Sequence, residues 1–306
     1  MKLPRISIIT PSYNQGQFLE ETILSVLNQN YPNLEYMIID GGSSDNSLEI
    51  INRYQHRLAY WVSEPDRGQA EAINKGFARA TGDIIAFLNS DDTYVAGALH
   101  AVGHYFENHR DCRWVCGHSL MYGLTEKAPH LLKVRVPRSL AEVLFSNIAA
   151  ISTSSFWRRE IAEQYGGFDV EYRYSFDMDL YARLVSNGER CEALDYPIST
   201  YRLHEDSKSV SELDSFKREV VAVRNKYLPH TSRWRVRREM MRERRREAGR
   251  RMYEAITCWR AGNRKAGIAA GLRAVGLSPL GVAMNGAGWL LRLATARFRR
   301  FSMSND

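Results

Sequence analysis

Short apolar runs alternate with helical patterns through the first hundred residues. Ile6-Ser7-Ile8-Ile9-Thr10, Tyr36-Met37-Ile38-Ile39-Asp40 and Ile84-Ile85-Ala86-Phe87-Leu88 read as strands. Between them Phe18, Ile23 and Leu27, and then Ala72, Ile73, Phe77 and Ala80, recur near helical spacing. That rhythm predicts crossover helices covering a mostly parallel sheet, a doubly wound α/β domain. From about Trp114 to Arg202 the runs are sparser and the turns less regular. There Gly166-Gly167-Phe168-Asp169 precedes a helix expected to start near Asp177, and this half reads as a lobe facing an acceptor. After Pro229 the pattern turns helical, through Trp234–Trp259 and Ala266–Val275.

Charge divides the chain at the same place. The net charge is +7 over 306 residues, but residues 1–229 carry −6 and residues 230–306 carry +13. Two parts follow: an α/β domain over 1–229 and a helical, Arg-rich extension over 230–306. In the extension Arg233, Arg235, Arg237, Arg238, Arg242, Arg244, Arg245, Arg246, Arg250 and Arg251 crowd one helix, relieved in part by Glu239, Glu243 and Glu247. Such a face seeks anions. The aromatic interleaving of a single-strand platform is sparse and no base-reading motif appears, so an anionic membrane surface is expected and nucleic acid is not. Trp289, Leu290, Leu291, Leu293, Phe298 and Phe301 among Arg292, Arg297, Arg299 and Arg300 suit a helix lying in the headgroup layer; the alternative is a helical cap packed on the α/β domain.

The charge-free stretch from Ala274 to Leu291 contains Pro279, Asn285 and four glycines, a poor membrane span. Four cysteines in a chain of this length make no disulfide framework, and the short run at Ile6–Ile9 is no signal-peptide core. The expected place is the reducing cytoplasm, peripheral on the inner face of the membrane. Cys112, Cys116 and His118 lack a fourth zinc ligand nearby, and no G-x-G-x-x-G follows the first strands.

In doubly wound sheets the ligand sits beyond the carboxyl ends of the strands. Here those ends are polar: Thr10-Pro11-Ser12-Tyr13-Asn14, Asp40-Gly41-Gly42-Ser43-Ser44-Asp45 and Asn89-Ser90-Asp91-Asp92. Adjacent carboxylates at the end of an apolar strand are costly unless neutralised, and Mg²⁺ or Mn²⁺ with a diphosphate would neutralise Asp91 and Asp92. A solvated turn or helix cap is the other reading. Asp40 could accept the ring N–H of uracil, thymine or guanine, or simply close an Asp-Gly turn. In Glu64–Gly76, Asp66 and Asn74 suit nucleotide or sugar hydroxyls, while Arg67 or Lys75 offers charge to phosphate.

These residues, in this order, resemble family 2 of the glycosyltransferases, inverting enzymes of the GT-A fold that take sugars from nucleotide diphosphates. The likeness spans about residues 5–210. It is carried by Ser7–Asn14, Asp40–Asp45, Glu64–Gly76, Gly82–Asp92, Gly166–Asp169, Asp177-Met178-Asp179-Leu180 with Arg183-Leu184, and Tyr201-Arg202-Leu203-His204. The resemblance implies that Pro11 and Asp40 lie at a uridine-type base, Asp66 near the ribose or metal, Asp91 on the donor sugar or ribose, Asp92 on the metal, and Asp177 as general base. Tyr13, Asn14, Gly42, Gly68, Asn74, Lys75 and Ser90 fall in the donor-binding motifs. Arg202 and His204 lie in a loop that in related enzymes folds over the diphosphate, with His204 a candidate metal ligand.

Inversion needs one base, opposite the leaving diphosphate, to take the acceptor's proton. A helix start at Asp177 would keep that carboxylate ionised. The family often has Glu-Asp where this chain has Phe176-Asp177, and Asp179 is the alternative base. The acceptor is expected to be a glycan or lipid-linked sugar. A catalytically silent sugar-nucleotide-binding protein is the rival reading, and a nucleotidyltransferase should carry a Gly-rich basic loop after strand one that this chain lacks.

Overall fold

The computed structural model describes residues 3–122, 129–145, 152–204, 212–260, 263–278 and 282. The chain divides into two compact units, one of Met1–Leu144 and Ile148–His230, the other of Phe145–Asn147 and Thr231–Asp306.

The first unit is built on a mixed sheet. β1 (Ile6–Ser12) is buried along its whole length and lies between β2 (Leu34–Asp40) and β4 (Ile84–Phe87), parallel to both; β3 (Tyr60–Ser63) extends the parallel half from β2. Beyond β4 the direction reverses at β8 (Ser155–Arg158), followed by β6 (Trp114–Tyr122), β9 (Cys191–Arg202) and β5 (Thr93–Tyr94), with β7 (His130–Leu132) on β6. Several buried polar groups of the central strands are partnered, whereas the buried Ser12 hydroxyl at the end of β1 has no partner among the described residues. Ser7 and Thr81 bond Glu35, and Thr10 meets the Tyr36 hydroxyl at 3.0 Å. An unpartnered group there would cost roughly 1–3 kcal/mol.

One face of the sheet sets Ile6, Ile8, Tyr36 and Ile38 against α1 (Gly16–Leu27), α2 (Ser47–Tyr54) and α4 (Ala98–Asn108), through Leu19, Ile23, Ile50, Ile51, Val102 and Phe106. The other face takes α3 (Gln69–Phe77) so closely that a β-carbon on Gly76 would lie 2.5 Å from Ile9, which is why glycine stands there. Phe77, Phe87, Trp157, Phe168 and Phe176 then form an aromatic block with centroids 5.1–6.5 Å apart. It fixes the Gly166–Asp169 turn and the start of α7 (Phe176–Ser186) against the end of β4. The remaining helices are α5 (Leu140–Phe145), α6 (Arg159–Tyr165) and α8 (Leu213–Tyr227).

The three apolar runs form strands as expected and α7 begins at Phe176. Two expectations change. The stretch from Trp114 to Arg202, read as sparse in strands, supplies β6, β8 and β9, and the short edge β3 gave no run of its own. In the second unit α9 (Arg233–Arg260) and α10 (Arg264–Leu277) pack against one another. The amphipathic segment expected from Trp289 to Phe301, and Glu205-Asp206-Ser207 after His204, lie outside the described residues. Among the described residues no helix is long and apolar enough to cross a membrane.

Candidate active site

Register aligns the first two strand ends. Ser12 pairs with Asp40 and Asp40 with Ser63, so the turns after β1 and β2 are neighbours. Asn14, at a left-handed φ of 52°, stitches them: its N–H donates to Ser43 Oγ at 2.8 Å and its Oδ1 accepts from Ser44 N–H at 2.8 Å. Tyr13 beside it is 62% exposed, whereas Pro11 is buried in β1. Asp40 is fully buried. Its carboxylate accepts from the N–H groups of Gly42 and Ser43, the Ser43 hydroxyl at 2.5 Å and the Ser63 hydroxyl at 2.7 Å. Three of those donors meet Oδ2 and one meets Oδ1, and the carboxylate closes the turn in which Gly42 takes φ 83°.

The next carboxylate is better presented. Asp66 is half-buried against Gly41, where an added β-carbon would lie 2.8 Å from its Oδ2. Its Oδ1 accepts from Gly68 N–H at 2.8 Å, and Gly68 bends at φ 125° to open α3. Burial pushes the Asp66 carboxyl up from its ordinary range, and the nearby carboxylates of Glu71 and Asp40 add to this. Lys75 is paired with Glu64 at 2.8 Å, and Arg67 with Glu71 at 3.1 Å. Asn74 holds the backbone of Phe168 from both sides, donating to its carbonyl at 2.7 Å and accepting its N–H at 2.8 Å. Its amide thereby clasps α3 to the Gly167-Phe168 turn.

The loop after β4 has the opposite economy of donors. Ser90 is buried and Asp92 is 1% exposed. Among the described residues Asp92 receives only Asn89 Nδ2 at 3.1 Å and Arg202 N–H at 3.1 Å. Burial, and then the adjacent Asp91 carboxylate, drive its carboxyl well above the usual range. Asp91 meets His204 Nε2 at 3.1 Å, and Thr22 of α1 anchors the loop by donating to the carbonyls of Ser90 at 2.9 Å and Asp92 at 2.7 Å. Gln69, at the start of α3, donates to Asn89 at 2.6 Å and so ties this loop to the Asp66 turn. Arg202 reaches back to Glu21 at 2.5 Å with its guanidinium 4.8 Å over Phe18, and His204 lies 4.8 Å from the same ring.

Among the described residues no three Asp, Glu, His or Cys groups are arranged to enclose a metal by themselves. A buried carboxylate that protonation alone relieves, beside a second carboxylate and a histidine, nevertheless fits a divalent cation that keeps water and phosphate oxygens in its shell.

Asp177 lies in the first turn of α7, half-buried, and accepts Met178 N–H at 2.7 Å. Burial raises its carboxyl above the ordinary range despite that bond and one from the Ser152 hydroxyl. Burial thus works against the ionised form that a helix start was expected to favour. Asp179, the alternative, is fully buried and bound to Arg183 at 2.9 Å, Lys226 at 2.7 Å and Tyr227 at 3.1 Å. It pins α7 to α8 and cannot act as a base. His118 likewise pairs with Asp195 at 2.9 Å.

Gln69, Asn89 and Thr22 escaped the sequence reading. Thr22 alone left a trace, a polar residue in the apolar stripe of Leu19, Ile23 and Val26. A cavity of about 880 Å³ lies at the opposite ends of β1, β4, β6 and β8, lined by Arg5, Asp83, Arg113 and Arg158. Arg5 pairs with Glu35, Arg113 with Glu189 and Arg158 with the Cys112 carbonyl, while Asp83 accepts the Arg5 N–H, and the cavity has no part in this site.

The strand-end site can be set beside known proteins. The sequence profile of glycosyl transferase family 2 matches residues 7–166, which hold β1, the Asp66 turn and the Asp91-Asp92 loop. The chain belongs to that family. A putative teichuronic acid biosynthesis glycosyltransferase of Bacillus subtilis is 30% identical over 222 residues, covering 70% of this chain and 85% of the relative. A PGL/p-HBAD biosynthesis glycosyltransferase of Mycobacterium bovis is 29% identical over 192 residues, covering 61% and 72%. Among solved structures, residues 1–349 of S. aureus TarS with UDP-GlcNAc superpose with a TM-score of 0.57 at 14% identity, covering 87% of this chain and 90% of that one. Of a longer TarS chain this protein spans 43%. A mannosyltransferase of Pyrobaculum calidifontis with GDP-Man and Mn²⁺ gives 0.59 at 20% identity, covering 96% and 81%. These likenesses establish the GT-A fold for this chain.

Proposed function

We propose that this glycosyltransferase moves a hexosyl group from a nucleotide diphosphate sugar, a UDP-sugar by preference, to a hydroxyl of a glycan or lipid-linked acceptor with inversion, assisted by Mg²⁺ or Mn²⁺, in building a cell-surface polysaccharide or glycoconjugate. The observation that carries the reading is the loop after β4, where Asp92 stays buried beside Asp91 with too few donors and with Arg202 and His204 closing over it. The relatives named for teichuronic acid and PGL/p-HBAD biosynthesis support the product class, and the neighbours holding UDP-GlcNAc, GDP-Man and Mn²⁺ support donor and cation.

In this reading Asp92 and Asp91 hold the cation, with His204 at their side, and the bound cation supplies positive charge to the departing diphosphate. Arg202, released from Glu21, adds a guanidinium to the same oxygens. Asp177, on the side fixed by the aromatic block, accepts the proton of the attacking hydroxyl; its raised carboxyl brings proton affinity toward the operating pH, as a base needs. Pro11, Tyr13, Asp40, Asp66 and Gly68, at the ends of the first strands, receive the nucleoside.

Residues 230–306 form a separable basic extension that docks on an anionic membrane surface and keeps the catalytic domain peripheral on its cytoplasmic face. Its support is the exposed face of α9, where Trp234 and Met241 stand among the exposed Arg237, Arg244 and Arg245, together with exposed Ile268, Leu272 and Val275 along α10. Each arginine near an anionic leaflet adds about 1 kcal/mol.

Incubating the full chain with a panel of sugar nucleotides, Mn²⁺ and candidate acceptors tests the central reading. Donor turnover that depends on cation and is lost in Asp177→Asn, with nucleotide binding kept, is the expected result; binding without turnover of any donor favours the catalytically silent alternative.

A further inference from the structure

The proposed base is held in place by its neighbours more than by its own side chain. Asp177 bonds Met178 N–H within its own turn and meets the Ser152 hydroxyl. Ser175, just before α7, is a residue type that ordinarily caps a helix through its hydroxyl. Here it makes no such bond, and its Oγ is buried without a partner among the described residues. A carboxylate from another helix takes over. Glu219 of α8 accepts the N–H groups of three successive residues, Arg173 at 2.9 Å through Oε1, and Tyr174 at 2.7 Å and Ser175 at 2.9 Å through Oε2. Consecutive N–H groups turned to one side form a cradle for an anion, and bonds to an ionised acceptor are the strong ones.

The same face of α8 grips α7 again two turns later. Val223 is fully buried, Lys226 Nζ meets Asp179 at 2.7 Å and Asp169 at 3.1 Å, and the Tyr227 hydroxyl meets Asp179 at 3.1 Å. Positions 219, 223, 226 and 227 follow the stripe of a single helix face. Between the two grips stand Phe176, 5.1 Å from Phe168 in the aromatic block, and Asp177 beside it. Resting on the proposed part of Asp177 as the base, we infer that Glu219 is a positioning residue for glycosyl transfer, gathering the backbone of residues 173–175 so that Asp177 meets the acceptor hydroxyl. It acts through the backbone and not on the substrate. Without it those three N–H groups have no other acceptor among the described residues, and the chain entering α7 loses its anchor. A reacting group displaced by about 1 Å can cost on the order of 10²-fold in rate. Glu219 also lies beyond residues 7–166, the part of the chain that the family profile matches.

The test compares Glu219→Ala and Glu219→Gln with the parent as full chains. Donor turnover is measured with UDP-GlcNAc, UDP-glucose and GDP-mannose in Mn²⁺, nucleotide affinity by calorimetric titration of UDP, and local order by amide hydrogen exchange. In Glu219→Ala kcat is expected to fall about tenfold to a hundredfold, with faster exchange across residues 173–177. Donor KM and UDP affinity are expected to stay within about twofold, because the diphosphate is held by a different loop. Glu219→Gln keeps an acceptor oxygen for Tyr174 and Ser175 and is expected to recover kcat to within about threefold of the parent. Glu35→Gln is the control for a general loss of stability, since it also alters a buried carboxylate with several donors, but at the start of β2. It is expected to melt lower and keep its kcat. Circular dichroism establishes that each variant is folded. An unchanged kcat in Glu219→Ala, a parallel loss of UDP affinity, or no recovery in Glu219→Gln overturns the positioning role while the loss of turnover in Asp177→Asn leaves the base in place. Turnover kept in Asp177→Asn, or turnover of none of the donors by the parent, overturns the base reading and the inference with it.

Discussion

The turn after β2 and the loop after β4 are built from the same materials, a buried aspartate at the end of a parallel strand, and they come to opposite ends. Asp40 is surrounded by donors from its own turn and from Ser63, so most of its charge is compensated before any ligand arrives. Among the described residues Asp92 has two donors, a carboxylate for a neighbour, and almost no water. Burial alone therefore says little about function. What marks a site is a charge that the protein itself has left uncompensated. Asp179 and Asp177, two residues apart in α7, repeat the contrast: the first is neutralised by Arg183 and Lys226, the second is desolvated with only weak relief.

Substitutions at these pairs break or sharpen the contrast. Asp177→Asn has the largest expected effect, a fall in turnover of about 10²–10⁴-fold with nucleotide affinity unchanged, read by donor turnover and titration. Asp40→Ala strands four donors in the core and is expected to cost on the order of 3 kcal/mol, seen as a lower denaturant midpoint without need of any assay of activity. Asp92→Asn should do the reverse to the cation-free protein. A carboxyl whose folded pKa is raised contributes stability that is fully present below its unfolded pKa and is lost as pH rises through the folded one, so Asp92 weighs against the fold increasingly as pH rises. The Asn variant is expected to melt higher than the parent at pH 7 without cation, with the gap closing as pH falls.

The raised carboxyl of Asp177 predicts the pH dependence of catalysis. Turnover falls as pH drops through a pKa above the ordinary aspartate range, and a profile flat down to that range would show the base lies elsewhere. Smallest is Glu21→Gln, which frees Arg202 and should change diphosphate affinity by no more than about threefold, since partly exposed pairs are worth about 1 kcal/mol or less.

Much of this was legible in the sequence. Ile6–Thr10, Tyr36–Asp40 and Ile84–Leu88 announced buried strands because a strand covered on both faces must be apolar throughout, and the polar residues just beyond them located the site. What periodicity could not show is which polar side chains turn inward. Asp40 and Asp66 look alike in a sequence, and so do Asn74 and any ligand-binding asparagine; their parts depend on Ser63, Gly41 and Phe168, residues brought from elsewhere in the chain. The strands after Trp114 were obscure for a related reason. β9 carries Glu192, Asp195 and Pro197 among half-buried positions, so its pattern never settles into an apolar run. Gly41 beside Asp66 was the quietest signal, an absence of side chain that makes sense only once the neighbour is known.

The central claim is that the Asp91-Asp92 loop joins a divalent cation to a nucleotide diphosphate. Titration of UDP into the parent protein and Asp92→Asn, each with and without Mn²⁺, tests it most directly. The account predicts that Mn²⁺ tightens UDP binding by the parent about tenfold or more and leaves the variant's affinity unchanged, a difference of about 1.4 kcal/mol at the least. Equal tightening in both proteins would contradict it.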